Sequence, residues 1–563
     1  MERPAPYSGA GTVFRQGVSL AGRTMAMTRT TKPASGRPYQ IYWGDTHHNV
    51  YVGPEDAALA MPMMEFCRYA ATCLDFYAPA YYTAETQLHP ALPAHNAEGR
   101  WQGVKTERWK SRQRIVREWA ELEECTRAAC APGRFVTFPC YEWQGDGTWG
   151  DHNVVHRTEG HPVCRAQTAA ELYRFLRRTG ALAIPHHLAY LAGHRSKNWD
   201  VCDERVTPFA EIFSCHGCSE TDEDCVPMRR NPHMGPSASG NTYACALDRG
   251  LHIGAICGTD SFGFVPGWYG RGLMACLADG LTRESLWDAF LARRVYGVTG
   301  DRIELRFTLN GSEMGAIVPA TPARLIRVEV RGWDAIDRIE ILRNNRVVAT
   351  HCHQGRWEAP TAGRTTRFKV RIECGWGPFA TELPLPDEKW RGQLVVHDGR
   401  VCGWQPCWID FGQTPPSITG NGARFQLRSR HASGPYIADA YFNALVFEIE
   451  AAPDNRLSLE LNGQRIEETL AGLCRASRIL WYEEETRRHL ARLTGLRPEH
   501  CERPDTFYHC GRKAKIHRAV PESGYTAGIE WEDDEPLAGP THYRVRVEQR
   551  NGQRAWSSPI WVE

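Results

Sequence analysis

Short apolar runs punctuate the first half of the chain, each closed or followed within a few positions by His, Glu, Asp or an aromatic. The runs are Ile41–Trp43, Asp75–Ala80, Phe135–Tyr141, Asn153–His156, Leu182–Pro185, Phe209–Ser214 and His252–Gly258. They are closed or followed by Asp45-Thr46-His47-His48, Tyr81-Tyr82, Glu142, His156-Arg157, His186-His187, His216 and Asp260. Polar side chains gathered at the C-terminal ends of successive buried strands are how a β/α barrel builds an active site. His, Glu and Asp converging in this way suit a hydrolytic metal ion.

Helical patterns separate these runs. Met63–Thr72 follows Pro54 and Pro62, which suit a loop and a first helical turn. Lys105–Ala129 carries Trp109, Ile115, Trp119 and Leu122 at helical spacing and predicts one long charged helix. Thr168-Ala169-Ala170-Glu171 is a capping box opening a helix through Arg178, with Gly180 closing it. Thr282 caps a further helix over Arg283–Arg294. Strands alternating with helices predict a mostly parallel sheet. With an eighth candidate at Leu273–Leu277, the pattern fits a closed or nearly closed barrel better than an open doubly wound sheet. No glycine-rich phosphate-binding motif follows any strand, which disfavours a nucleotide fold.

After Gly300 the pattern changes to alternation of period two, at Ile303–Phe307, Leu325–Val330, Arg338–Arg343, Arg367–Glu373, Leu445–Ile449 and Leu457–Leu461. Asn310-Gly311 and Asn462-Gly463 stand where tight hairpin turns favour them. Tyr543–Gln549 and Ile560–Val562 read as a closing hairpin. The predicted organisation is a tail over 1–38, a barrel over 39–302, and an antiparallel β-sandwich region over 303–563 with a helical insertion at about 467–493.

Composition adds exclusions. The balance of 67 basic against 66 acidic residues, net +1, gives no electrostatic case for a nucleic-acid or membrane partner. No apolar run reaches transmembrane length. The tail lacks the apolar core of a secretory signal, from which a cytoplasmic location is expected. The 20 cysteines are scattered without a disulfide rhythm. Cys215-His216-Gly217-Cys218 alone has C-x-x-C spacing, and with no second pair buried thiols are a better reading than a zinc knuckle.

Several motifs together resemble a known family. Tyr42-Trp43-Gly44-Asp45-Thr46-His47 is similar to the opening motif of the polymerase-and-histidinol-phosphatase (PHP) superfamily, and Leu74–Tyr82 stands where its second motif falls. Tyr141-Glu142-Trp143, Gly150-Asp151-His152-Asn153, Ile184-Pro185-His186-His187, Glu211–Gly217 and Gly258-Thr259-Asp260-Ser261 follow in order. Tyr296–Ile303 and Ala555–Trp561 resemble the bacterial PHP-like family catalogued as domain of unknown function 3604. The resemblance implies a PHP-like (β/α)7 barrel with divalent metal, usually hydrolysing phosphoesters. It carries metal ligation onto His47, Glu142, His186 and Asp260, with His152 and His216 as additions. Asn49, Tyr82 and Phe262 stand where the family has further ligands, which implies one or two ions rather than three. Zn or Mn is expected, with Fe as a further candidate.

The remaining residues divide between roles. His187, beside His186, is assigned to substrate or proton transfer, and Tyr82 is an acid–base candidate. Arg195 and Lys197, in the loop after His186, read as an anion clamp, against the simpler reading of a solvated loop. Tyr81, Tyr82, Phe262, Phe264, Trp268 and Tyr269 read as core or rim aromatics that could instead stack on a sugar or aromatic ring, Trp268 being the substrate-binding candidate. Asp301-Arg302 reads as a structural pair. The leading expectation is a metal-dependent hydrolase of a phosphoester or other anionic ester on a small molecule or saccharide. The alternatives are a non-catalytic carbohydrate- or partner-binding descendant and a mononuclear-metal amidase or lyase. Self-association is left open.

Overall fold

The computed structural model describes residues 39–52, 61–88, 105–193, 195–224, 228, 240–262, 265–354, 360, 362–375, 388–429, 442–495 and 512–563; the tail expected over 1–38 lies outside them. Among these residues no helix is long and apolar enough to cross a membrane.

Gln40–Val50 lies within a large mixed sheet. It pairs in parallel with Phe76–Tyr82 and antiparallel with Leu273–Ala278. Phe76–Tyr82 pairs in parallel with Cys140–Trp143, but Cys140–Trp143, His152–Val155 and Leu182–Pro185 run antiparallel in turn. The predicted parallel sheet therefore holds only in part. The link from Trp143 to His152 is too short for a crossover helix, so the chain folds back as a hairpin. Phe209–Ser214 and Gly254–Cys257 pair in parallel in a separate sheet with Gly217–Cys218. Among the described residues no ladder joins Leu182–Pro185 to Phe209–Ser214, so a closed barrel is not shown.

The two sheets nevertheless share a core. Phe76, Phe138, Leu182, Ile184, Phe209, Ile256 and Met274 form one buried cluster with Leu286, Trp287 and Phe290 from the helix Arg283–Leu291. Phe290 lies 5.9 Å from Phe76 and 5.7 Å from both Phe138 and Phe209, so a single helix stoppers strands from both sheets. Each side chain fully withdrawn from water here contributes about 1.5–3 kcal/mol.

The expected helices form with shifted ends. Lys105–Trp109 is a strand paired with Ala84–Leu88, and the helix runs only over Arg112–Ala129. Ser111 starts it by accepting the Arg114 amide at 3.2 Å, a cap that the charged run masked. Ala169–Thr179 has the predicted capping box and ends at Gly180, whose φ of 69° is the left-handed conformation glycine tolerates. The expected helical insertion at 467–493 is two helices, Leu470–Arg475 and Glu483–Thr494, split by the strand Arg478–Trp481.

Beyond residue 303 the strand pairs are antiparallel except that Ile317–Val318 runs parallel to Trp561–Val562, and Asn310-Gly311 and Asn462-Gly463 all take positive φ as primed hairpin turns require. Thr366–Gly375 and Phe442–Ala451 belong to one sheet and Glu388–Val396 and Gly422–Ser429 to another, and the two enclose Phe368, Trp390, Phe425, Phe447 and Leu459. The last strands return to the first sheet. Arg554–Ser557 pairs with Val295–Val298 and with Thr541–Gln549, which also pairs with Ile336–Arg343 and Ile560–Val562. The expected closing hairpin thus has an extra strand in its middle.

Asp301 ties these parts together. Its buried carboxylate accepts Tyr269 Oη at 2.9 Å, Gln405 Nε2 at 2.8 Å, and Gln549 Nε2 and Asn551 Nδ2 at 2.7 Å each. Arg302 does not pair with it but donates to the Cys73 carbonyl. Replacing Asp301 by Ala strands these donors in a dry interior and is expected to cost about 3 kcal/mol. Urea unfolding followed by circular dichroism measures the loss, and an unchanged midpoint would show that the hub does not bear on stability.

Candidate metal centre

Strand alternation builds the site directly on the shared core. Residues two apart share a face, so the stripe Phe209, Ile256, Cys140 and Ile184 continues as Glu211, Gly258, Glu142 and His186. His47 is presented by the first strand, where a bulge between Asp45 and His48 shifts the register against Phe76–Tyr82. Asp45 stabilises the bulge by accepting the amides of His47, Thr259 and Gly267 at 3.0, 3.3 and 2.9 Å. His48 points the other way, to Tyr77 and Phe66, so it is not brought to the cluster.

His47 is the centre of the cluster. Its Nδ1 lies 3.1 and 3.0 Å from the two Glu211 oxygens. Its Nε2 lies 3.3 Å from Asp260 Oδ1 and 3.7 Å from Glu142 Oε2. The His186 ring is 4.1 Å away, with its Nε2 3.9 Å from Glu142 Oε1. His216 places Nε2 3.1 Å from Asp260 Oδ2 and accepts or donates at Nδ1 with Tyr190 Oη, 2.8 Å away. His187 Nε2 lies 3.5 Å from Asp151 Oδ2. Overlapping groups with metal-ligand spacing follow: His47–Glu142–His186, His47–Glu211–Asp260, Asp151–His186–His187 and Cys215–His216–Asp260.

These residues fit a divalent ion. Donors around a zinc-like ion at about 2.0–2.2 Å stand roughly 3.3–3.6 Å apart, close to the spacings about His47 Nε2. Buried atoms at the same place have no hydrogen-bond partner among the described residues: His47 Nε2, Glu142 Oε2, both nitrogens of His186 and His187 Nδ1. Orphaned buried polar atoms are rare unless something else satisfies them. Charge points the same way. Glu142, Asp151, Glu211 and Asp260 are all buried, and the guanidinium of Arg195 is the fixed cation among them, 2.5 Å from Asp151 and 3.3 Å from Glu142.

The protonation equilibria answer to this imbalance. Burial alone would lower His47, but Asp260 and Glu211 outweigh it and raise the imidazolium well above its ordinary range. Burial pushes Glu211 up to about 7, partly opposed by His47. Burial also works to raise Asp260, yet His47 and His216 hold it below the usual carboxylate range. His186 and His187 are lowered by burial and then by their imidazole neighbours, leaving the neutral nitrogens that metals take.

Other expected site residues lie elsewhere. His152 has both nitrogens engaged, Nδ1 with the Gly150 carbonyl at 2.8 Å and Nε2 with Tyr173 Oη at 3.1 Å, and belongs to none of the groups above. Lys197 is fully buried and points away from the cluster, donating to Tyr173 Oη and the Asn198 carbonyl at 3.0 Å and to the Val201 carbonyl at 2.7 Å. Tyr82 neighbours Glu142 across the ladder and packs edge-on against Phe262 at 5.8 Å. Trp268 is buried beneath Arg271. Tyr81 and Tyr269 donate to Glu118 and Asp301, and Phe264 lies outside the described residues. Cys215 groups with His216 and Asp260 and Cys218 with Glu220 and Asp224, so their spacing does not make a shared site. Sequence reasoning missed Glu211 and Asp151 as site residues. Glu211 had a usable signal, an acid at an inward position of an otherwise apolar strand.

Comparison with known proteins adds context. A family described as "Protein of unknown function (DUF3604)" matches residues 266–315, which includes Tyr296–Ile303 but not the closing Ala555–Trp561 segment. Uncharacterized proteins are similar over part of their length: one from Chlamydia trachomatis serovar D is 27% identical over 270 residues, covering 45% of this chain and 42% of its own. Another from Chlamydia pneumoniae is 25% identical over 301 residues, covering 49% of this chain and 43% of its own. The chain therefore spans less than half the length of these relatives. Among solved structures, a two-domain protein containing a predicted PHP-like metal-dependent phosphoesterase from Bacteroides vulgatus ATCC 8482 aligns with a TM-score of 0.28 and 11% identity, over 56% of this chain and 84% of that one.

Lys197 offers a test independent of any ion. Burial lowers its ammonium from 10.5 to about 8, so the unfolded chain keeps that proton to higher pH than the folded one. The penalty for burying the charge is full below about 8 and fades as pH rises toward about 10.5. Wild-type stability relative to Lys197→Met is expected to rise across that window by at most about 3 kcal/mol. Urea unfolding of both proteins at several pH values measures it; a pH-independent difference would refute the assignment.

Proposed function

We propose that this protein is a metal-dependent hydrolase of a phosphoester or another anionic ester, carried on a sugar or small metabolite. The observation supporting this most strongly is the convergence of orphaned His47, Glu142 and His186 atoms with Asp260 in a buried cluster where, among the described residues, carboxylates outnumber fixed cations. One or two divalent ions, Zn or Mn, held by these residues with His216 beside Asp260, would supply a Lewis acid and acidify an attacking water.

The chain's own groups complete the chemistry. Arg195, 20% exposed and fixed by Asp151 and Glu142, presents positive charge at the rim, where a phosphate or carboxylate group would be drawn and oriented. His187, neutral and steadied by Asp151 at Nε2, is positioned to take up or return a proton. Its φ of 33° and the 62° of Arg195 are strained for side-chain-bearing residues, and such strain gathers at functional sites. Tyr82 and Phe262 pack on one another, so the aromatic mouth gives less support to a ring-binding module.

Elemental mass spectrometry of the purified chain should find about one equivalent or more of a divalent metal, lost in His47→Ala and Asp260→Ala. Both variants should retain wild-type circular dichroism and lose at least about 100-fold in turnover of phosphoester probes. Absence of metal after reconstitution, or turnover retained in both variants, would refute the proposal.

A further inference from the structure

We infer that Glu211 is a positioning residue for His47, seated in a slot that exists because residue 258 is glycine; the inference rests on the metal-centre reading above. Glu211 lies inward in the middle of Phe209–Ser214, and both its oxygens face His47 Nδ1, at 3.1 and 3.0 Å. The other ring nitrogen, Nε2, faces Asp260 and Glu142. An imidazole that binds a metal through one nitrogen characteristically gives its other N–H to a carboxylate, which sets both tautomer and ring direction. Glu211 occupies that second position. It holds the proton at Nδ1 and leaves the Nε2 lone pair directed at the cluster.

Gly258 makes the arrangement possible. A Cβ at this position would lie 2.3 Å from Glu211 Oε2 and 2.9 Å from His47 Cβ. No real side chain fits there with the carboxylate in place. Gly258 follows the strand Gly254–Cys257, the parallel neighbour of Phe209–Ser214, so the slot is written into adjoining strands. An alanine would leave every candidate ligand in the chain while pushing the carboxylate off Nδ1.

The test uses the full-length protein stripped of metal and titrated with Zn²⁺ against a chromophoric chelator, and with Co²⁺ followed by its visible absorption. Glu211→Ala and Gly258→Ala are each expected to weaken Zn²⁺ binding about 10–100-fold with stoichiometry intact and the Co²⁺ band unmoved. Glu211→Gln should lose less, because its amide oxygen still accepts from Nδ1–H. Circular dichroism checks folding, and should Gly258→Ala fail to fold, the Glu211 pair decides. Affinity within about twofold of wild type in Glu211→Ala would overturn the inference while leaving the metal centre standing. A displaced Co²⁺ band would also overturn it, by making Glu211 a direct ligand. Failure of the wild type to take up any ion would overturn both.

Discussion

Glu142, Asp151, Glu211 and Asp260 are each no more than 2% exposed, and holding these carboxylates together governs how the site is built. Like charges about 5 Å apart repel by roughly 3 kcal/mol even at an effective dielectric near 20. Removing carboxylates from water adds a further cost. The fold meets this by distributing donors. Arg195 bridges Asp151 and Glu142, His47 faces Glu211 on one side and Asp260 on the other, and Asn49 donates to Asp260 at 3.2 Å. Among the described residues these carboxylates still outnumber the fixed cations that face them.

The legible and illegible parts of this architecture differ in physical kind. The strands of the first half were readable as short continuous apolar runs because they are buried on both faces. Polar residues closing continuous apolar runs, together with the PHP resemblance, pointed to His47, Glu142, His186 and Asp260, which lie together in the structure. The capping box at Thr168 and the Asn-Gly turns were readable because their chemistry is local. Strand direction was not. Nothing in the composition of Cys140–Trp143 and His152–Val155 distinguishes an antiparallel hairpin from a parallel pair; only the short link between them does.

Side-chain aim was equally hidden where a residue had competing partners. His152 sits beside Asp151 in a motif that suggests ligation, but the Gly150 carbonyl and Tyr173 satisfy both of its nitrogens. Lys197 reads as a loop cation, yet its buried ammonium donates to the Asn198 and Val201 carbonyls. Glu211 carried a signal, an acid in an otherwise apolar strand, but its closeness to Gly258 and His47 arises only through strand pairing.

The large sheet also dictates an order of events. Val295–Val298 lies between Leu273–Ala278 and Arg554–Ser557, so the strand beside it is supplied by residues made some 250 positions later. Until then its outer edge presents unpaired amides and carbonyls, the kind of surface on which chains join one another. Pairings so distant in sequence close slowly, since loop entropy is lost before contacts form. During synthesis the first half of this protein therefore passes through a period with an open sheet edge, closed only when Arg554–Ser557 is made.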